Sequence, residues 1–278
     1  MQLQVADIFI NDWSQLKADQ AAILLLWRDK LVKALNDGRH EIAGLYKNIL
    51  VRHLCKKKNL LNKLTSYQIR DIADDLNFIH NSWYSFHVTY LKTKLGTFYR
   101  PDHKLASFTF WQMVKADAEY SKFLIYNFEE SKEQYHALDR LVAIIYQTKP
   151  GYFTDTNIEE HAAVLPKGLT FELKYLILHT YSNIRKYLVH ERCPDLFDVP
   201  APVAGPATGS NDVANKKQIP EQVREQPQYT GEMWQQMMFD LSETAAFSGL
   251  ETAKNARLFD ALDYLNKKAR DNKNQQSR

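Results

Sequence analysis

Apolar residues recur at spacings of three and four along most of this chain, the pattern of helices with one buried side. The densest such run covers residues 108–146. In its first half Phe110, Trp111, Val114, Ala118 and Phe123 recur at helical spacing, while Lys115, Asp117, Glu119 and Lys122 are assigned to the other faces. Ser107 or Thr109 can cap that helix by accepting a bond from a free backbone N–H. In the second half Leu138, Leu141, Val142, Ile145 and Tyr146 form another apolar stripe. The polar stretch 129–132 marks a turn between them, and Pro150-Gly151 ends the second helix. Helices joined this closely predict an antiparallel hairpin. Its aromatic residues read as core, not as a ligand pocket.

The same reading extends along the chain. Residues 1–10 alternate weakly, as a short strand or an extended arm. Asp12 or Ser14 is placed to cap a helix running to Asn36, with Trp13 packing back on it. Its buried side holds Leu16, Ile23, Leu24, Trp27, Leu31 and Leu35, and Asp37-Gly38 stops it. A second helix, 41–53, carries Leu45, Ile49, Leu50 and Leu54. A third begins at Thr65-Ser66 and buries Ile69, Ile72, Ala73 and Leu76. Its Asp71, Asp74 and Asp75 point outward, and they lack the glycine and closing glutamate of a calcium loop. Residues 77–100 mix aromatic, β-branched and polar positions. The run 85–91 suits a strand, so a small two-stranded β element is expected there. Thr156 and Glu159 have capping-box spacing before a short helix. Residues 170–190 form a long helix with Leu173, Leu176, Ile177, Tyr181, Ile184, Tyr187 and Leu188 inward.

The pattern stops after Phe197. Residues 198–229 contain five prolines and almost no large apolar side chain, a composition that cannot bury a core. Treated as a flexible linker this stretch spans ~30 Å. Helical periodicity returns over 230–268 in two short helices, followed by a polar tail, 269–278. About forty residues do not hold a fold alone. The pair must therefore dock on the main domain, on a second copy or on a partner. Its anchors Trp234, Met237, Met238, Leu241, Phe259 and Leu262 form the apolar set that helix-in-groove recognition requires. The expected fold is mainly α: a helical core domain over 1–197 with a small β element, and a linker-tethered C-terminal helical pair.

Composition changes this picture little. Nine glycines in 278 residues disfavour turn-rich β architectures, and 25% charged with 45% hydrophobic residues is ordinary for a globular protein. The net charge of +3 is too mild to argue for nucleic acid. One local run differs: Arg52, Lys56, Lys57 and Lys58, with Lys63 beyond, has no acid among its members. It reads as a solvated helix end or as a phosphate-backbone contact, and no aromatic residue interleaves it for base stacking. Cys55 and Cys193 make no disulfide framework, which together with the absence of a leader pattern and of a 20-residue apolar span predicts a soluble cytoplasmic protein. His80 and His87 lack a third ligand, and neither Glu159-Glu160-His161 nor His190-Glu191 meets the spacing of a zinc protease. There is no Gly-rich phosphate loop and no nucleophile elbow. No cofactor, metal or catalytic residue is expected.

Four segments taken in order carry a resemblance: 105–117 (LASFTFWQMVKAD), 138–146 (LDRLVAIIY), the exit Cys193-Pro194-Asp195-Leu196-Phe197, and 234–265, from WQQMMFDLSETAAFSG to RLFDALDYL. This order resembles a group of helical proteins encoded among bacterial prophage tail and structural genes. The resemblance covers about half of the chain and rests on packing residues. It implies an assembly role, such as a tail-assembly chaperone holding apolar helices of a structural subunit, with a protein partner and no membrane.

Overall fold

The computed structural model describes residues 9–56, 59, 62–126, 131–149, 153–197 and 231–276. Among them are ten α-helices and one two-stranded antiparallel sheet, so the fold is mainly α with a small β element. The helices are α1 (Ala18–Asn36), α2 (His40–Leu54), α3 (Ser66–Asp75), α4 (Phe110–Tyr126), α5 (Lys132–Ile145), α6 (Ile158–Val164), α7 (Phe171–Lys186), α8 (Gly231–Ser242), α9 (Leu250–Asn255) and α10 (Leu258–Gln276). None is long and apolar enough to cross a membrane.

Local chemistry explains several boundaries. Thr109 Oγ1 accepts from Gln112 N at 3.1 Å at the start of α4. Ser131 and Thr170 do the same for α5 and α7. Thr65 and Gln68 form a reciprocal capping box on α3. The box expected at Thr156 and Glu159 is absent. Asp155–Asn157 forms a 3-10 turn instead, and Thr156 bonds to Asn157. Asp12 caps only the short turn Trp13–Gln15, and α1 starts after Lys17.

The α4–α5 hairpin forms as the periodicity predicts and lies at the centre of the larger apolar cluster. The inner residues of the sheet also enter it. Strand β1 (Tyr90–Thr93) pairs with β2 (Gly96–Tyr99) in the register Tyr90 to Tyr99 and Leu91 to Phe98. Leu91 and Phe98 face inward, and Tyr146 Oη donates to the carbonyl of Val88 at 2.7 Å. Tyr99 exchanges two backbone bonds with Gln147, which ties β2 to the end of α5. Residues 85–91 are therefore a strand only at their last two positions. Phe86 and Val88 are buried without a ladder, so the β-like composition there reflects burial in an extended connection.

Two features of the packing bear on how these elements are organised. First, residues up to 197 do not share one core. A second apolar cluster gathers Phe9, Trp13 and Leu16 with α1, α2, α3 and Trp83, and Leu176 of α7 enters it. Helix α7 joins the clusters: Trp83 stacks on Trp13 at 4.0 Å and on His179 at 5.1 Å between ring centroids. Second, the C-terminal helices belong to the larger core. Helix α8 lies on α4 so closely that a Cβ at Gly231 would sit 2.8 Å from Ala118 Cα. The α9–α10 connection bonds to the head of α4, with Phe110 N donating to Ala256 O and Leu258 N to Phe108 O, both at 2.9 Å. Helix α7 continues into a π-helical turn, Tyr187–Arg192, and α10 lies along this turn and the residues after it. The linker 198–229 lies outside the described residues, but its two flanks meet: Phe197 and Trp234 rings are 5.4 Å apart.

Candidate interaction surface

The residues proposed to hold a partner lie mostly inside this chain. Trp234 is fully buried, edge-on to Phe110 at 6.1 Å. Met237, Met238, Leu241 and Leu262 are buried beside it. Phe259 is half-buried under the Arg192 guanidinium at 3.9 Å. Two ion pairs at 2.7 Å, Arg192–Asp263 and Arg270–Asp195, hold α10 in place, with Leu196 N donating to Asn266 Oδ1 at 2.9 Å. The reason for the correction is simple. The periodicity showed a face that must be covered, and the chain's own α4 and α7 ends cover it.

Polar side chains assigned to open faces are also inside. Asp117 is fully buried and Glu119 nearly so. Arg185 Nε donates to Asp117 Oδ1 at 2.5 Å, and Tyr181 Oη to the same oxygen at 3.4 Å. Burial raises the Asp117 pKa to about 6, against the opposing pull of Arg185. Glu119 meets Lys122 at 2.9 Å and Arg140 at 3.4 Å. Between the clusters, Arg28 bonds to Asp29 and His179, both at 2.7 Å, and Tyr175 Oη donates to Asp29. Burial and the Arg28 charge hold the His179 pKa well below its ordinary value, so this imidazole is neutral and its Nε2 accepts a hydrogen bond from Arg28. His87, a candidate ligand by spacing, instead bonds through Nε2 to the Trp13 carbonyl. These networks join elements far apart in sequence and leave no local signal.

The surface with the opposite property is α2. Its inward side is Ala43, Leu50, Val51 and Leu54. Leu45, read as core, is 57% exposed; Ile42 is 40% exposed and Ile49 is half-buried. Arg52 and Lys56 are exposed further along. Positions 42, 45, 49 and 52 alternate spacings of three and four, which puts all four on one stripe of the helical surface, and Lys56 lies just past the helix end. The stripe is apolar at its start and cationic at its end. Ile23 of α1, also read as core, is exposed, and beside it Trp27 meets Tyr46 at 5.6 Å. Lys63 is exposed but outside α2, and Lys57 and Lys58 lie outside the described residues.

No family model, curated protein or solved structure matches this chain. What it can do is therefore argued from its own surfaces. Among the described residues no three His, Cys, Asp or Glu side chains gather as a metal site. The α2 stripe is an apolar strip with the a/d spacing that a partner helix fills, and its cationic end adds orientation.

Proposed function

We propose that this chain is a non-enzymatic assembly or adaptor protein of the cytoplasm, of the prophage tail-assembly kind that its sequence resembles, and that it holds an amphipathic helix of a structural subunit on α2. The observation that carries this reading is the outward α2 stripe of Ile42, Leu45 and Ile49 running into Arg52, with Lys56 exposed just past the helix end. A helix lying antiparallel on it presents its first turn to Arg52 and Lys56. Carboxylates are favoured at a helix N-terminus, so the matching partner begins acidic and continues with Leu or Ile at spacings of three and four. Proteins of this kind prevent aggregation of such helices by covering their apolar side until polymerisation.

The test is a photo-crosslinking residue placed at Leu45 in the native host, with a second protein carrying it at exposed Tyr67 as control. The expected result is one dominant adduct from position 45, mapped to a helix with an acidic first turn, and its loss when Ile42→Glu is added. Identical adducts from both positions, or none from position 45, overturn the reading. Leu45→Glu itself is expected to move stability by no more than about 0.5 kcal/mol, because the site is on the surface.

A further inference from the structure

A second surface, separate from α2, carries different chemistry. The outer side of the β hairpin displays two tyrosines that face each other across the ladder. Tyr90 is 51% exposed and Tyr99 48% exposed, and they are direct partners in the register. Lys92 stands two residues along β1 on the same side, its Nζ 5.5 Å from the centre of the Tyr90 ring. Lys94 in the turn and Lys149 beyond the Gln147 bridge are exposed, whereas the Arg100 guanidinium turns back to donate to the Phe86 carbonyl. The turn Leu165–Gly168 packs against β1 and adds exposed Lys167. No Asp or Glu occurs in residues 76–101. Glu160 lies on the other side, next to His161, whose ring meets buried Phe98 edge-on at 4.8 Å.

An exposed tyrosine pair has a bland role: cross-strand aromatic pairs stabilise hairpins. That role does not call for Lys92 over the Tyr90 ring and Lys94 beside it, with no carboxylate in either strand or the turn. Neighbouring strands lie about 4.8 Å apart, so paired tyrosines present two ring faces within reach of adjacent nucleotides. Stacking serves any base, since each has a π-face, while lysine and arginine follow the phosphates. We infer that the Tyr90–Tyr99 side of the hairpin is a binding site for single-stranded nucleic acid, with the two tyrosines stacking on successive bases and Lys92, Lys94, Lys149 and Lys167 along the backbone. The helical run at Arg52 and Lys56 takes no part. This inference is independent of protein docking on α2.

The experiment uses the full chain and fluorescein-labelled dT15, with anisotropy read at low and moderate salt. Binding is expected, with a log–log salt slope of about −0.7 for each phosphate neutralised. Tyr90→Ala with Tyr99→Ala is expected to weaken binding at least about tenfold with the slope kept, and the double phenylalanine variant to restore it. Lys92→Glu with Lys94→Glu is expected to make the slope shallower. Arg52→Glu with Lys56→Glu is expected to leave binding unchanged. Circular-dichroism melts confirm that each variant is folded, and both tyrosines are exposed enough for substitution. The site is overturned if dT15 does not bind at low salt, if the alanine pair binds like the native chain, or if a 15-base-pair duplex binds as well as dT15. Displacement of dT15 by polyglutamate at equal charge concentration also overturns it, since that shows an acidic-polymer surface without stacking.

Discussion

Asp117 shows how far one side chain can depart from the pattern around it. Its neighbours on α4 suggest a solvent-facing position, yet it is buried against Arg185 and Tyr181. Removing one partner of such a pair strands the other charge. Arg185→Ala is therefore expected to cost about 3–5 kcal/mol in chemical denaturation. The pH response has a definite sign. The folded pKa of Asp117, about 6, lies above its ordinary value of 3.8, so the native state binds the extra proton between these values. The contribution of Asp117 is greatest below about pH 4 and falls as pH rises to about 6. His179 acts oppositely: held neutral in the fold, it costs stability as pH drops below about 6.5. Denaturation midpoints measured from pH 4 to 7 separate the two. Between these values the two slopes offset each other, so Asp117→Asn is expected to expose the His179 loss as a steeper fall on the acid side. An unchanged profile would show that the Asp117 carboxyl is not protonated in that range.

At the scale of elements, helical periodicity identified α4, α5, α7, α8 and α10, because each buries a full stripe and has a capping or breaking residue at an end. It was less informative where burial is partial. On α2 it marked Leu45 with Leu50 and Leu54, but among the described residues the helices packed on it are chiefly α1 and α3, and its buried residues lie on one side. A periodic stripe records an apolar surface without recording which half meets the chain itself. The hairpin was found with its first strand placed too early, since buried Phe86 and Val88 have strand composition without strand pairing. Neither the tyrosine pair nor the cations gathered around it could be seen in the sequence, because Lys149 and Lys167 reach the sheet only through the fold. The docking of α8 gives two expectations. Trp234→Ala should cost about 3–5 kcal/mol, as for other large aromatic truncations in a core. Gly231→Ala should cost about 1–3 kcal/mol by pushing α8 off Ala118. Both are read from thermal or urea unfolding, and a neutral effect of the first would show that α8 contributes little to the core.

The whole molecule joins two apolar clusters through α7, with the C-terminal helices built into the larger one. The sequence left open whether the C-terminal pair docks on the main domain, a second copy or a partner; the structure has it on the main domain, with Phe197 and Trp234 in contact. A protease site inserted in the stretch 205–212 tests this docking. After cleavage the two fragments are expected to co-elute on size exclusion and to separate only in denaturant. Separate elution without denaturant would show that the peptide connection, not the packing of Trp234, Met238 and Leu262, keeps the C-terminal helices in place.

That adjacency also bears on how such a chain can change over generations. Because Phe197 and Trp234 are fixed side by side, a segment of any length that joins them has the same two points to meet. Doubling its length costs only about 0.6 kcal/mol in closure entropy. Insertions, deletions and new recognition sequences can accumulate there while Phe197 and Trp234 hold the same neighbours, so related chains are expected to diverge most in this stretch and least at its two anchors.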